Sequence, residues 1–257
     1  MLKLLINLDK SQDRLEKVNA QFNAIGINVN RVSAVDGRLL SNEEISKITY
    51  PITDVQSHIK FTRSLSKSEI GCFLSHKKCW QILVDSEEEW ALIFEDDLRL
   101  SKRAATYMSD ESWIPNEVKL LQLHSHEPSM KLHCRKEIIK LDEKNYLISP
   151  LDKAHGTQCY FIHRDVAKLA LEKSKILPAP VDDFLFSLWF DVANTFKVWR
   201  LQPTVVTQTL EDSDIGNRRK DSLKSSFWIR HGIRRTLKRF RLKLFVKIGK
   251  SYKSYFE

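Results

Sequence analysis

A chain of 257 residues that is 42% hydrophobic and 29% charged carries enough large apolar side chains for one large α/β domain or two small ones. It has no run of about 18 uncharged apolar residues, which excludes a membrane-spanning helix, and Cys72, Cys79, Cys134 and Cys159 form no C-x-x-C pair and read as buried free thiols. The net charge of +9 is unevenly placed: from Arg218 onward fourteen Lys and Arg face only Asp221 and Glu257, so this tail carries +12 and the first 217 residues carry −3.

Leu2 to Leu8 is a short apolar run, too short for a signal-peptide core, and reads as a buried first strand of a protein that stays in the cytoplasm. Ser11 is placed to cap a helix with Leu15, Val18, Phe22 and Ile25 on one face, and Gly26 to stop it. Val29 to Val35 follows as a strand and closes at the turn pair Asp36-Gly37, which makes a β-α-β opening of the kind that builds parallel sheets. Ser41 to Tyr50 reads as a short helix and Pro51 to Ser64 as loop. Ser66 with Glu69 is a capping box opening a long helix whose buried face is Ile70, Phe73, Leu74, Trp80, Leu83 and Val84.

Trp90 to Phe94 is a strand that ends in Glu95-Asp96-Asp97. Val118 to Leu123 is another, residues 136–149 a hairpin, and Gly156 to His163 a further strand. Asp165 to Lys173 is a helix broken by Leu177-Pro178-Ala179-Pro180; Asp183 to Val192 reads as helix and Phe196 to Leu201 as strand. In the tail, Ile229, Ile233, Leu237, Phe240, Leu244 and Ile248 recur at spacings of three and four with Lys and Arg between, which predicts a basic amphipathic helix.

The acidic triplet at a strand end carries the chemistry. Ligands of open α/β sheets bind outside the carboxyl ends of the strands. Three carboxylates crowded there raise one another's pKa unless a divalent cation holds them ionised, and a departing diphosphate needs the same cation. The competing reading is an acidic loop on a solvated surface.

Ile6-Asn7-Leu8-Asp9 with Asp13-Arg14, Ala34-Val35-Asp36-Gly37, Gly71-Cys72-Phe73-Leu74-Ser75-His76 with Trp80, Phe94-Glu95-Asp96-Asp97-Leu98, Gly156-Thr157 with Tyr160, Pro180-Val181-Asp182-Asp183-Phe184 and Ser213-Asp214 together resemble glycosyltransferase family 25 across roughly residues 3–215. That family includes bacterial lipooligosaccharide galactosyltransferases and the domains that galactosylate collagen hydroxylysine. The resemblance implies a GT-A-like, Rossmann-type nucleotide-sugar-binding fold in residues 1–217 and an inverting transfer of galactose from UDP-galactose, assisted by Mn²⁺ or Mg²⁺. It puts the donor against Asn7, Leu8, Arg14, Asp36, Gly37, Ser75, His76, Glu95 and Asp96, and the metal at Asp97 and Glu95; it does not place the third protein ligand, for which Gln208 is a candidate.

Several of these residues also have plainer readings. Arg14 is either a base- or phosphate-binding guanidinium or a solvated helix-face arginine. Asp36-Gly37 is either a ribose contact with close ligand approach or an ordinary turn. His76 is either a diphosphate contact or structural; Trp80 reads as core and Lys77 and Lys78 as solvated. Asp182 and Asp183 follow a rigid Pro-x-Pro turn and are the two candidates for the general base that inversion requires, or else caps of their own helix.

Residues 218–257 lie outside the resemblance. Their charge predicts binding to an anionic membrane surface, which would place the enzyme peripherally on the inner face of a bacterial inner membrane beside a lipid-linked oligosaccharide acceptor. No nucleic-acid recognition fold accompanies the tail, so nucleic acid is not an expected partner. The rival for the whole chain is a non-catalytic interaction protein whose tail binds nucleic acid or a protein.

Overall fold

The structure, a computed structural model, describes residues 1–50, 64–125, 131–151, 156–209 and 248–253. Its opening follows the hydrophobic pattern. β1 (Leu2–Asn7) is buried on both faces along its second half, and α1 (Gln12–Ala24) packs Val18 and Phe22 beneath the sheet. Ser11 stands at the N-cap of α1 without a side-chain capping bond, and Gly26, at φ +70°, ends the helix in the left-handed region that glycine enters freely. β2 (Asn30–Ser33) is shorter than the sequence pattern suggested and pairs parallel with β1.

Two capping boxes hold the next helices. Ser41 and Glu44 cap α2 (Asn42–Ile48), and Ser66 and Glu69 cap α3 (Lys67–Asp85) through Glu69 N–H to Ser66 Oγ at 3.2 Å and Ser66 N–H to Glu69 Oε2 at 2.9 Å. α3 buries Ile70, Phe73, Cys79, Trp80 and Leu83 against the sheet. Its first turn meets the short 3₁₀ turn Gly37–Leu39 backbone to backbone. A Cβ on Gly37 would lie 1.8 Å from the Lys67 carbonyl oxygen, and one on Gly71 would lie 2.5 Å from the Gly37 nitrogen. These two glycines are therefore required by helix-to-turn packing.

The remaining elements complete a mixed sheet. They are β3 (Trp90–Glu95), β4 (Leu98–Leu100), α4 (Ala104–Met108), β5 (Leu120–Gln122), β6 (His124–Ser125), β7 (Lys131–Lys140), β8 (Tyr146–Pro150), β9 (Cys159–His163), α5 (Arg164–Lys173), α6 (Val181–Phe186), α7 (Asp191–Phe196), β10 (Trp199–Gln202), β11 (Val206–Gln208) and β12 (Ile248–Lys253). The nine-stranded sheet runs β12-β7-β8-β10-β5-β9-β3-β1-β2, and β4-β11-β6 form a small second sheet. β1, β2 and β3 are parallel, β9 is antiparallel to both β3 and β5, and β5 and β10 are parallel. The carboxyl ends of β1, β2, β3, β5 and β10 and the entry to β9 therefore share one rim. One core, with Leu4, Ile70, Trp80, Ile93 and Phe184, lies between the sheet and α3, α5, α6 and α7; the other, with Leu5, Phe22, Phe94 and Trp199, lies on the opposite face.

Three expectations are corrected. The continuous helix read over Asp183 to Val192 is two helices, because Ser187 turns extended (φ −93°, ψ 131°) where both flanking segments bury aromatic side chains: Phe184 meets Phe73 at 5.2 Å and Phe190 at 5.9 Å. Ile248, read as the last apolar position of the tail helix, instead opens β12, which pairs antiparallel with β7 at the sheet edge. Lys77, read as solvated, is half-buried and donates from Nζ to Ser174 O at 2.7 Å, whereas Lys78 is exposed as expected, with its Nζ reaching Ser33 O at 3.1 Å. The rest of the tail helix, the Pro51–Ser64 loop up to residue 63, and Ser213 and Asp214 lie outside the described residues. Among the described residues no helix is long and apolar enough to cross a membrane.

Candidate functional site

The shared rim opens into a cleft between the ends of β1, β2 and β3 and the first half of α3. The ten residues expected to hold the donor and the metal line it, as do Arg38, Ser68 and Cys72, which were not expected at the site; Gln208, the candidate third ligand, is not part of the lining. The spacing of Cys72 and His76, four apart on α3, puts both on one helix face. That signal was present in the sequence. Cys72 is partly exposed, contrary to the expectation of a buried thiol, whereas Cys79, Cys134 and Cys159 are buried.

The acidic triplet is differentiated by its partners. Asp96 accepts from Asn7 Nδ2 at 2.7 Å and from Arg14 Nη1 at 3.4 Å. Burial nonetheless raises its pKa, with Asn7 and Arg14 opposing. Arg14 is thus paired to the triplet. Asn7 is fully buried; its Nδ2 also donates to Ser11 O at 3.0 Å and its Oδ1 accepts from Arg31 Nε at 2.9 Å, so it fixes the β1–α1 turn around Asp96.

Asp97 is held from the second sheet. Gln208 Nε2 donates to its Oδ2 at 2.6 Å, and Thr209 N–H donates to its backbone oxygen at 2.8 Å. Its Oδ1 is buried and has no partner. Burial, and then the charge of Glu95, push its pKa up to about 7.

Glu95 sits at the end of a buried relay. Trp80 Nε1 donates to Tyr160 Oη at 3.0 Å, Tyr160 Oη lies 2.9 Å from His76 Nδ1, and His76 Nε2 lies 3.2 Å from Glu95 Oε1. Indole is only a donor, and burial raises the Tyr160 pKa well above its ordinary value. The consistent assignment has Tyr160 accept from Trp80, donate to His76 Nδ1 and leave the Nε2–H for the carboxylate. Thr157 Oγ1 also donates to Glu95 Oε1. Tyr160, whose role was not legible in the sequence, is the pivot.

The remaining residues expected at the donor shape the wall. Ser75 Oγ accepts from Val35 N–H at 2.8 Å and donates to Gly71 O at 2.7 Å, which pins the β2 turn to α3. Asp36 caps the 3₁₀ turn and is bound by Arg38 Nε at 2.8 Å and Lys10 Nζ at 2.9 Å, so two cations flank the cleft mouth. The backbone that Gly37 approaches closely is that of α3. Leu8 contributes an apolar edge.

Asp182 and Asp183 do not line this cleft. They open α6, which is seated on α3 through contacts of Phe184 with Phe73 and Trp80. Asp182 Oδ1 accepts from Asp183 N–H at 2.9 Å, and Asp182 Oδ2 lies 3.4 Å from Gly156 N–H. Gly156 and Thr157 are neighbours, so one short segment touches Asp182 on one side and Glu95 on the other.

The residues fit a divalent cation. A buried carboxylate oxygen without a partner and a second carboxylate close enough to raise its pKa make an all-oxygen pair suited to Mn²⁺ or Mg²⁺, while Gln208, the candidate third ligand, turns its Nε2 toward Asp97. Cys72, His76 and Glu95 also offer ligand atoms within 4.8 Å of one another, but both His76 nitrogens are already engaged.

An α/β sheet with a carboxylate-rich cleft at its strand ends is a ligand-binding architecture, and comparison narrows the class. The family model described as glycosyltransferase family 25 (LPS biosynthesis protein) matches residues 1–185, and the chain belongs to that family. It is 30% identical over 164 residues to the lipooligosaccharide biosynthesis protein lex-1 of Haemophilus influenzae, covering 60% of this chain and 53% of that protein. It is 26% identical to the lacto-N-neotetraose biosynthesis glycosyltransferase LgtE of Neisseria meningitidis, covering 80% of this chain and 73% of that one. Human procollagen galactosyltransferase 2 is 34% identical over 95 residues, 37% of this chain and 15% of that protein. The chain therefore spans about half of the first relative and a smaller part of the collagen-modifying one. Among solved structures it is similar to a glycosyltransferase involved in glycosylation of the major capsid of PBCV-1, at 10% identity and a TM-score of 0.45, over 82% of this chain and 93% of that one.

Proposed function

We propose that this chain is a GT-A-like transferase that moves a hexose, galactose from UDP-galactose, onto a lipooligosaccharide or lipopolysaccharide core acceptor with inversion. The single observation that carries the reading is the unpartnered, buried Asp97 Oδ1 beside Glu95 at the rim of the cleft. Buried anionic groups are costly without a compensating charge, and a donor diphosphate brings a cation with it. The family membership and the names of the relatives support the sugar and acceptor class.

Asp97 and Glu95 would hold Mn²⁺ or Mg²⁺, which supplies charge neutralisation for the departing UDP. Gln208 steadies Asp97, and the Trp80–Tyr160–His76 relay orients Glu95. Arg14, Arg38 and Lys10 border the cleft with positive charge for the nucleotide. Asp182, or Asp183, takes the proton from the acceptor hydroxyl on the face of the sugar opposite UDP, as inversion demands. The tail's charge supports docking on an anionic membrane at the cytoplasmic face, which would bring a lipid-linked acceptor within reach.

The test is turnover of a panel of UDP-hexoses with de-acylated lipooligosaccharide, with MnCl₂ or with EDTA. UDP-galactose should be the preferred donor, EDTA should abolish transfer, and Asp182→Asn should keep UDP binding while losing transfer. Undiminished turnover in EDTA, or no turnover of any UDP-hexose, refutes the reading.

A further inference from the structure

Away from the cleft, one buried charge has no countercharge. Arg200 lies on β10 near the middle of the large sheet and is 1% exposed. Burial lowers its pKa only to about 10, so it stays charged at neutral pH. Among the described residues no carboxylate pairs with it. Its Nε and Nη2 both donate to Gln122 Oε1, at 3.2 and 2.8 Å, and Nη1 has no partner. A Leu or Met would occupy this strand position without the desolvation penalty of an unpaired cation, so packing alone gives no reason for arginine.

The reason lies in what the guanidinium does to the Gln122 amide. A side-chain amide can ordinarily turn over and exchange its oxygen and nitrogen. Here the oxygen is claimed twice by Arg200, so Nε2 must point the other way, and it donates to Gly156 O at 3.1 Å. Gly156 occupies the left-handed region at φ +85°, and a Cβ there would lie 2.5 Å from His124 Cε1 and 2.3 Å from Gln158 Oε1. No residue with a side chain fits this seating. In that seating Gly156 N–H faces Asp182 Oδ2 and the Thr157 hydroxyl donates to Glu95.

We propose that Arg200 and Gln122 are positioning residues for proton removal from the acceptor: Arg200 locks the Gln122 amide, the amide holds the Gly156 carbonyl, and the held segment aims Asp182 and Glu95 from its two sides. The inference rests on the reading of Asp182 as the base. It requires no contact between Arg200 and substrate.

Gln122→Glu separates this relay from a structural role. The new carboxylate gives Arg200 the countercharge it lacks, so the melting temperature should hold or rise. It cannot donate to the Gly156 carbonyl, so kcat for galactose transfer from UDP-galactose to de-acylated lipooligosaccharide should fall at least tenfold, with KM for UDP-galactose changed less than twofold. The double variant Gln122→Leu/Arg200→Met removes both buried polar groups together and should show the same loss of kcat if Gln122→Glu does not fold. Wild-type kcat in either folded variant overturns the relay. Asp182→Asn is measured alongside. If it transfers at the wild-type rate, the base assignment falls and the relay falls with it; if it is inactive while Gln122→Glu is fully active, the relay alone is wrong.

Discussion

Replacing Asp97 with Asn separates what this carboxylate costs the fold from what it contributes to the site. In the unfolded chain it titrates at the ordinary 3.8, and in the metal-free fold at about 7. Below 3.8 both states hold the proton and there is no penalty. Between 3.8 and 7 the folded state keeps a proton that the unfolded state has released, so stability falls as pH rises, and above 7 the penalty is complete. That span corresponds to about 4 kcal/mol at most. Asn has the same shape, still offers an oxygen to Gln208 and carries no charge.

The metal-free Asp97→Asn protein should therefore melt higher than wild type at pH 8, by several degrees and at most roughly 8–16 °C for a chain of this size. The difference should vanish near pH 4. Millimolar MnCl₂ should raise the wild-type melting temperature and leave the variant unmoved, and the variant should lose transfer. Thermal melts from pH 4 to pH 8.5, in EDTA and in MnCl₂, read all of this. A variant no more stable than wild type at pH 8, or one stabilised equally by Mn²⁺, would show that the orphaned oxygen is not a cation ligand held at the expense of stability.

Other perturbations probe the scaffold. Gly71→Ala puts a methyl group 2.5 Å from the Gly37 nitrogen, backbone against backbone, and should cost about 3 kcal/mol or more and abolish UDP binding by displacing the Asp36 turn, as read by thermal melts and calorimetric titration. Tyr160→Phe strands Trp80 Nε1 and His76 Nδ1; it should cost about 1–3 kcal/mol in denaturant melts, and kcat should fall because Glu95 loses its orientation. Neutralising Arg234, Arg235, Lys238 and Arg239 to Gln leaves β12 in the sheet. At about 1 kcal/mol per charge, it should weaken binding to anionic liposomes about a thousandfold at low salt and spare transfer to a soluble acceptor. Unchanged sedimentation with liposomes would remove the membrane from the proposed partners.

Local patterns and the tertiary fold contributed different things. The capping boxes at Ser41 and Ser66, the stop at Gly26, the apolar strand running into Glu95-Asp96-Asp97 and the core role of Trp80 were all legible in the sequence, because each depends on neighbours within a few residues. The ordered motifs of the family resemblance also named ten residues that prove to line one cleft. Strand order was not legible. Pairing β9 antiparallel between β3 and β5, and adding β12 beside β7, depends on contacts among segments far apart in the chain. The same distance hid the partners that give each acid its character: Gln208 for Asp97, Asn7 for Asp96, and Tyr160 and Thr157 for Glu95 and its histidine. It hid Arg200 as well, since an arginine in a short strand reads as an edge or surface residue until the sheet closes over it. A residue's identity sets which chemistry it can perform, but burial and partners set its charge state and aim, and those exist only once the chain has folded.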